Sequence, residues 1–262
     1  MYICNCTKIA FQLRYFIELS YKGTNYHGWQ VQPNAISVQE LLNKALTTIF
    51  RTAINVVGAG RTDTGVHAEQ LFAHVDFENE IKIEDAIYKL NSLLPNDIVV
   101  ENIMKTTETA HARFDAKSRS YEYRIFMGRN PFLIDTTWQL NNAKLNIVKM
   151  NEASEILKNY TNFKCFSRTN SNVKTYNCDV KRVEWIKTNE MLIFHITADR
   201  FLRNMVRAIV GTLIDVGKDK LTLEGFKQII ESEDRCNAGT SAPAQGLFLT
   251  QVTYPKTIFI HE

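Results

Sequence analysis

The sequence predicts an α+β protein of two ferredoxin-like βαββαβ halves, with mainly antiparallel sheets and a cleft where the halves meet. Two observations carry that expectation. Apolar alternation of period two and apolar stripes of period 3.6 succeed one another in the order β-α-β-β-α-β, and from residue 119 the order can be read a second time. The 262 residues are 45% hydrophobic and 23% charged, the balance of a soluble globular chain that can bury a core.

Leu13, Tyr15, Ile17 and Leu19 alternate with Arg14 and Glu18, as a half-buried strand requires. Ser37-x-x-Glu40 is a capping box, and Val38, Leu41, Leu42, Ala45, Leu46 and Ile49 then recur at helical spacing. A short strand is expected over 54–57 and a longer one over 68–77. A helix over about 83–93 stops before Pro95, and Ile98 to Ile103 is the fourth strand. The second round gives strands at 119–127, 178–187, 190–198 and 247–254, with helical stretches at 147–159, 200–216 and 222–231. The expected divisions are a short extension over 1–11, a first half over 12–108 and a second over 109–262. Two such halves suggest paired sheets with helices on one side, and a cleft between domains is where a site tends to sit.

Composition narrows the partners only slightly. A net charge of +3 permits a nucleic-acid partner without demanding one. Cys4, Cys6, Cys165, Cys178 and Cys236 are odd in number and make no C-x-x-C pair, so reduced thiols in the cytoplasm are the economical reading. Asn5, Thr7, Lys8, Gln12 and Arg14 break any signal-peptide core, and no stretch approaches a membrane span.

The segment GAGRTDTGVHA, residues 58–68, places Asp63 among three glycines and beside Arg61. Asp-Thr-Gly is by itself ordinary turn chemistry. Asp63 stands where a G-x-G-x-x-G motif needs its last glycine, and no Gly-Lys-Ser/Thr follows, so the loop is not a nucleotide cradle. The tripeptide also spells the aspartic-protease motif, which needs two facing carboxylates, and the chain has one copy. The loop therefore presents Asp63 to something. Downstream, helical projection gathers Arg200, Arg203, Asn204, Arg207 and Gly211 opposite Phe201, Leu202, Met205, Val206, Ile209, Val210 and Leu213. Three arginines without an interleaved acid suit an anionic partner or a buried carboxylate, although a solvated basic face reads the same way. Tyr26-His27-Gly28-Trp29-Gln30 is the kind of aromatic, polar loop that meets unpaired bases. Tyr121 and Tyr123 share one sheet face, where core packing is the default. His67, His74 and His111 lack metal-ligand spacing and are expected to be structural or RNA-facing.

With these residues in place, the chain resembles the TruA family of tRNA pseudouridine synthases. The likeness runs from about residue 12 to 255 through YHGWQVQ (26–32), GAGRTDTGVHA (58–68), RSYEYRIF (119–126), NMVRAIVGTLIDVG (204–217) and SAPAQGLFLTQVTYP (241–255). The resemblance implies an isomerase that breaks the N-glycosidic bond of uridines 38 to 40, in the tRNA anticodon stem-loop, and rejoins the base through C5. It implies that Asp63 is the catalytic aspartate, that Tyr121 packs on the target uracil, and that Arg207 pairs with the aspartate. Trp29, Gln30, Arg203 and Leu247 join the expected substrate contacts, and Arg61 is expected to stack in the space that the flipped base vacates. Thr64 departs from the alanine common in the family, which leaves substrate preference open. A homodimer that binds tRNA without metal or organic cofactor, in the cytoplasm, completes what the likeness implies.

The chemistry suits these residue types. A carboxylate can attack C6 of the uracil or C1′ of the ribose, which divides one difficult exchange into easier steps. A stacked uracil cannot react, so it must be flipped out. Two rivals are an RNA-binding protein of RRM-like halves, for which no RNP1 run is found, and a dimeric aspartic protease with one Asp63 from each subunit.

Overall fold

The computed structural model describes residues 12–169 and 173–260. Cys4, Cys6 and the whole of the expected extension over 1–11 lie outside them.

The first half opens with β1 (Leu13–Tyr21), followed by α1 (Val38–Phe50), the two-residue β2 (Val57–Gly58), β3 (His67–Phe77), α2 (Ile83–Leu93) and β4 (Ile98–Lys105). The capping box forms as its spacing requires: Ser37 precedes α1 in extended backbone and its hydroxyl accepts from the Glu40 N–H at 3.4 Å. The second half runs β5 (Ser118–Phe126), β6 (Trp138–Gln139), α3 (Ile147–Ile156), β7 (Val180–Thr188), β8 (Met191–Ala198), α4 (Met205–Gly217), α5 (Leu223–Glu231) and β9 (Leu247–Thr253). Each half therefore repeats βαββαβ, and the strand orders β4-β1-β3-β2 and β9-β5-β8-β7 correspond position for position.

The two sheets are joined edge to edge into one nine-stranded sheet, where the expectation was of paired sheets. The join is a short parallel contact, His67 beside Phe248 and Ala68 beside Leu249; the other pairings along the main sheet path are antiparallel. Period-two patterning cannot foresee it, because alternation specifies which face is buried and not which edge meets which. Two apolar cores lie on either side of the join. One gathers β1, β3 and β4 with α1 and α2; the other gathers β5, β7 and β8 with α3, α4 and α5. Phe16 points away from its neighbours Tyr15 and Ile17 and is covered on the other sheet face by Tyr254 and Phe259.

One helix starts later than its periodicity predicts. Residues 200–202 are irregular, a turn over 203–204 is closed by Met205 N–H donating to the Leu202 carbonyl at 3.1 Å, and α4 begins at Met205 after Asn204 adopts left-handed backbone (φ 65°). Asparagine tolerates that conformation and reverses the chain there. Leu202 and Phe201 are apolar because the turn folds inward, which mimics a helical stripe. Of the three arginines expected on one helix face, only Arg207 is helical.

Candidate active site

Asp63 sits in the connection between β2 and β3, directly before the strand that makes the join. The connection is held from below. Trp29 N–H donates to the Thr62 carbonyl at 3.3 Å, the Tyr21 and Thr62 hydroxyls are 2.8 Å apart, and Val66 N–H donates to the Asp63 carbonyl at 3.1 Å. Two glycines allow this close seating. Gly28 has φ +83°, and a Cβ there would lie 2.2 Å from the Thr62 carbonyl oxygen; a Cβ on Gly58 would lie 2.4 Å from Trp29 Nε1.

The Asp63 carboxylate is 26% exposed and faces two guanidinium groups: Arg207 Nη1 lies 3.6 Å from one oxygen and Arg203 Nε 3.8 Å from the other. These distances are charge contacts and too long for hydrogen bonds, so the two guanidinium groups do not occupy the carboxylate lone pairs. The arginines differ in standing. Arg207 is 21% exposed and its Nε donates to the Ala242 carbonyl at 2.7 Å, while Arg203 is 60% exposed. An exposed pair contributes about 0–1 kcal/mol, so Arg207 is the fixed counter-ion and Arg203 the adaptable one. Two cations around one carboxylate are also the reverse of the like-charge pairing that a proton-sharing protease dyad uses.

Tyr121 approaches Asp63 from β5, near enough to feel its charge. It packs against both cores and edge-on to Phe201, with ring centroids 5.0 Å apart. Burial pushes its phenol up to about 12, the Asp63 charge adds to the rise, and Arg119 opposes it. At neutral pH the hydroxyl is therefore a proton-bearing group and not a standing base. Arg207 and Tyr123 also hold the segment before β9 by Ala242 and Pro243: the Arg207 backbone carbonyl accepts from Ala242 N–H at 2.9 Å, and the Tyr123 hydroxyl donates to the Pro243 carbonyl at 2.7 Å.

The other expected site residues separate into surface and scaffold. Arg61 is exposed beside Asp63, and Gln30 is partly buried with its amide donating to Gln39. Trp29 is 1% exposed and stacks on Tyr21, so it carries the loop from inside and offers no face to a base; the expectation of a surface contact is corrected. Its glycine-rich surroundings, which suggested ligand approach, instead admit the indole. Leu247 is 6% exposed within the second core, which leaves it an edge at most. His67 is structural: Nδ1 accepts from Gly23 N–H at 2.9 Å, which leaves Nε2–H to donate to the Gln245 carbonyl at 3.1 Å across the join. His74 likewise accepts from Ala112 N–H at 3.1 Å. Sequence reasoning missed Phe201 and Arg119. Arg119 had a legible signal, since strand alternation aims it with Tyr121 and Tyr123 toward the protein interior.

The comparisons with known proteins agree in kind. A family model described as tRNA pseudouridine synthase matches residues 159–255. The tRNA pseudouridine synthase A of Parabacteroides distasonis is 48% identical, covering 94% of this chain and 98% of that protein. That of Bacteroides thetaiotaomicron is 50% identical over 95% of this chain and 93% of its own length, and that of Ruminiclostridium cellulolyticum 38% identical over 91% and 98%.

Proposed function

This chain belongs to the tRNA pseudouridine synthase A family, isomerases that make pseudouridine in tRNA, and we propose that Asp63 is its nucleophile. The observation that carries this reading is the Asp63 carboxylate, seated on a rigid loop at the join of the halves, between Arg207 and Arg203 and beside Tyr121.

The target uridines are those on the 3′ side of the anticodon stem-loop, at tRNA positions 38 to 40. The uridine leaves its stack and enters the cleft with its base against Tyr121, while Arg61 fills the vacated place. An Asp63 oxygen attacks C6 of the uracil or C1′ of the ribose, and the bond from N1 to C1′ breaks. The base turns, C5 bonds to C1′, the C5 proton passes to solvent while N1 takes up a proton in its place, and the bond to Asp63 breaks to free the enzyme. Atoms balance without an external reactant. Arg207 keeps a positive charge beside the carboxylate throughout, and Tyr121 presents a flat apolar face with a protonated hydroxyl.

The reading extends to a homodimer acting in the cytoplasm, with each RNA contacting both subunits. Phe132 and Ile134, 93% and 57% exposed on one loop, supply an apolar tip that a second copy would cover. It also divides the chain near residues 108 and 109, although Ala110, Ala112, Leu249 and Val252 pack in the first core and Val66 in the second, so the two halves share their packing across that boundary. The reaction is tested by chemical mapping of pseudouridine in tRNA before and after treatment with pure protein. New signal confined to the anticodon stem-loop supports the reading, and an unchanged map contradicts it.

A further inference from the structure

Arg119 is a charged residue on the inward-facing side of β5, in register with Tyr121, Tyr123 and Ile125. Burying a guanidinium is costly unless each donor is satisfied, and its pKa is lowered by that burial. Its acceptors are unusual. Nη1 donates to the carbonyls of Ala116 (3.1 Å) and Asp199 (2.7 Å), and Nη2 to those of Ala59 (3.1 Å) and Arg113 (2.6 Å). Among the described residues no carboxylate lies within ion-pair distance of it, so four neutral backbone groups hold the charge.

Those carbonyls come from three places that matter to the site. Ala59 begins the loop that ends in Asp63, and its own N–H is tied to the Phe72 carbonyl at 2.7 Å. Asp199 begins the turn that carries Arg203 and leads into α4 with Arg207, and its N–H donates to the Asp179 carbonyl at 3.2 Å. Arg113 and Ala116 lie on the crossover between the halves. Because Ala59 and Asp199 are each already anchored within their own half, the guanidinium fastens one half to the other and does not merely order a loose loop.

We propose that Arg119 is a positioning residue for the isomerisation, its planar fork fixing the Asp63 loop of the first half against the arginine-bearing turn of the second. The inference rests on the reaction proposed above. Lysine keeps the charge but presents three donors from one point, which cannot span four carbonyls set around a planar group. A misplacement of about 1 Å between reacting groups costs on the order of a hundredfold in rate. Arg119 spends its donors on four backbone carbonyls and makes no ion pair with the Asp63 carboxylate, so its effect is assigned to the chemical step and not to tRNA affinity.

The test compares wild type, Arg119→Lys and Arg119→Ala in single-turnover release of tritium from uracil C5 at saturating enzyme, with tRNA affinity and melting temperature measured on the same samples. Arg119→Lys is expected to lose roughly a hundredfold in rate, with affinity within about twofold of wild type. Arg119→Ala is expected to regain at least about tenfold when methylguanidinium is added, and nothing from urea, which is also planar but carries no charge. A wild-type rate in the lysine variant overturns the role. So does a rescue in which rate and melting temperature rise together, since that is stability alone. Wild type that releases no tritium would overturn the proposed reaction and this inference with it, a result distinct from active wild type beside an unaffected lysine variant.

Discussion

Asp63 is paired with two arginines, and their surroundings predict unequal consequences. Arg207 is held by Ala242 and has little exposure, so Arg207→Ala removes a fixed counter-ion; turnover is expected to fall by about a hundredfold or more, as for loss of a preorganised charge partner, with tRNA affinity changed much less. Arg203, at 60% exposure, is free to follow a phosphate. Arg203→Ala is expected to weaken tRNA binding and to flatten its salt dependence by about one counterion, read from the slope of log K against log salt; an unchanged slope places Arg203 outside the interface. Tyr121→Phe keeps the stacking face and removes only the hydroxyl, whose proton is retained at neutral pH. Binding should survive and the single-turnover rate should fall; an unchanged rate would leave Tyr121 with packing alone. The charge pattern of the sequence made Arg207 and Arg203 legible as partners for an anion. It could not rank them, because exposure is a tertiary property.

The loop from 58 to 66 is rigid because of what lies beneath it. Gly58 seats it on Trp29 and Gly28 admits the Thr62 carbonyl from below, whereas a Cβ on Gly60 would meet nothing within 4 Å. Gly28→Ala would combine strained backbone at φ +83° with a Cβ 2.2 Å from Thr62, next to Asp63 in the chain. The left-handed strain alone costs about 1–2 kcal/mol, which lowers the melting temperature of a domain this size by roughly 2–8 °C. Activity measured well below that temperature should fall further than stability explains, since Thr62 and Asp63 move together. The strands and helices with long, regular patterning were legible within a few residues of their ends, as at Leu13–Tyr21 and Val38–Phe50. The start of α4 was not, because an inward turn of Phe201 and Leu202 has the same local polarity as a helical stripe.

For the molecule as a whole, the join of the two halves brings the proposed site together: Asp63 comes from one half, and Arg207, Arg203 and Tyr121 from the other. Two buried neutral histidines, His67 at the join and His74 farther along β3, make the stability of the fold depend on pH. Burial, the largest influence, with Arg14 and His111 adding to it, lowers His74 to about 4, and burial lowers His67 in the same direction. Their folded pKa values lie below the unfolded value of about 6.5, so the unfolded chain binds more protons in that window. Stability should be full above about pH 6.5 and decline as pH falls toward 4, by at most about 1.4 kcal/mol per pH unit for each group. Denaturant melts at neutral and mildly acid pH would show it, and His74→Gln should flatten the dependence. Edge-to-edge joining was not legible, since no residue pattern marks which edges meet. The account depends most directly on Asp63 itself. Wild type and Asp63→Asn, nearly isosteric, should be incubated with tRNA carrying tritium at uracil C5, with affinity measured in parallel. The account predicts tritium release by wild type, none above background by the asparagine variant, and equal binding by both. Near-normal release by Asp63→Asn would contradict it.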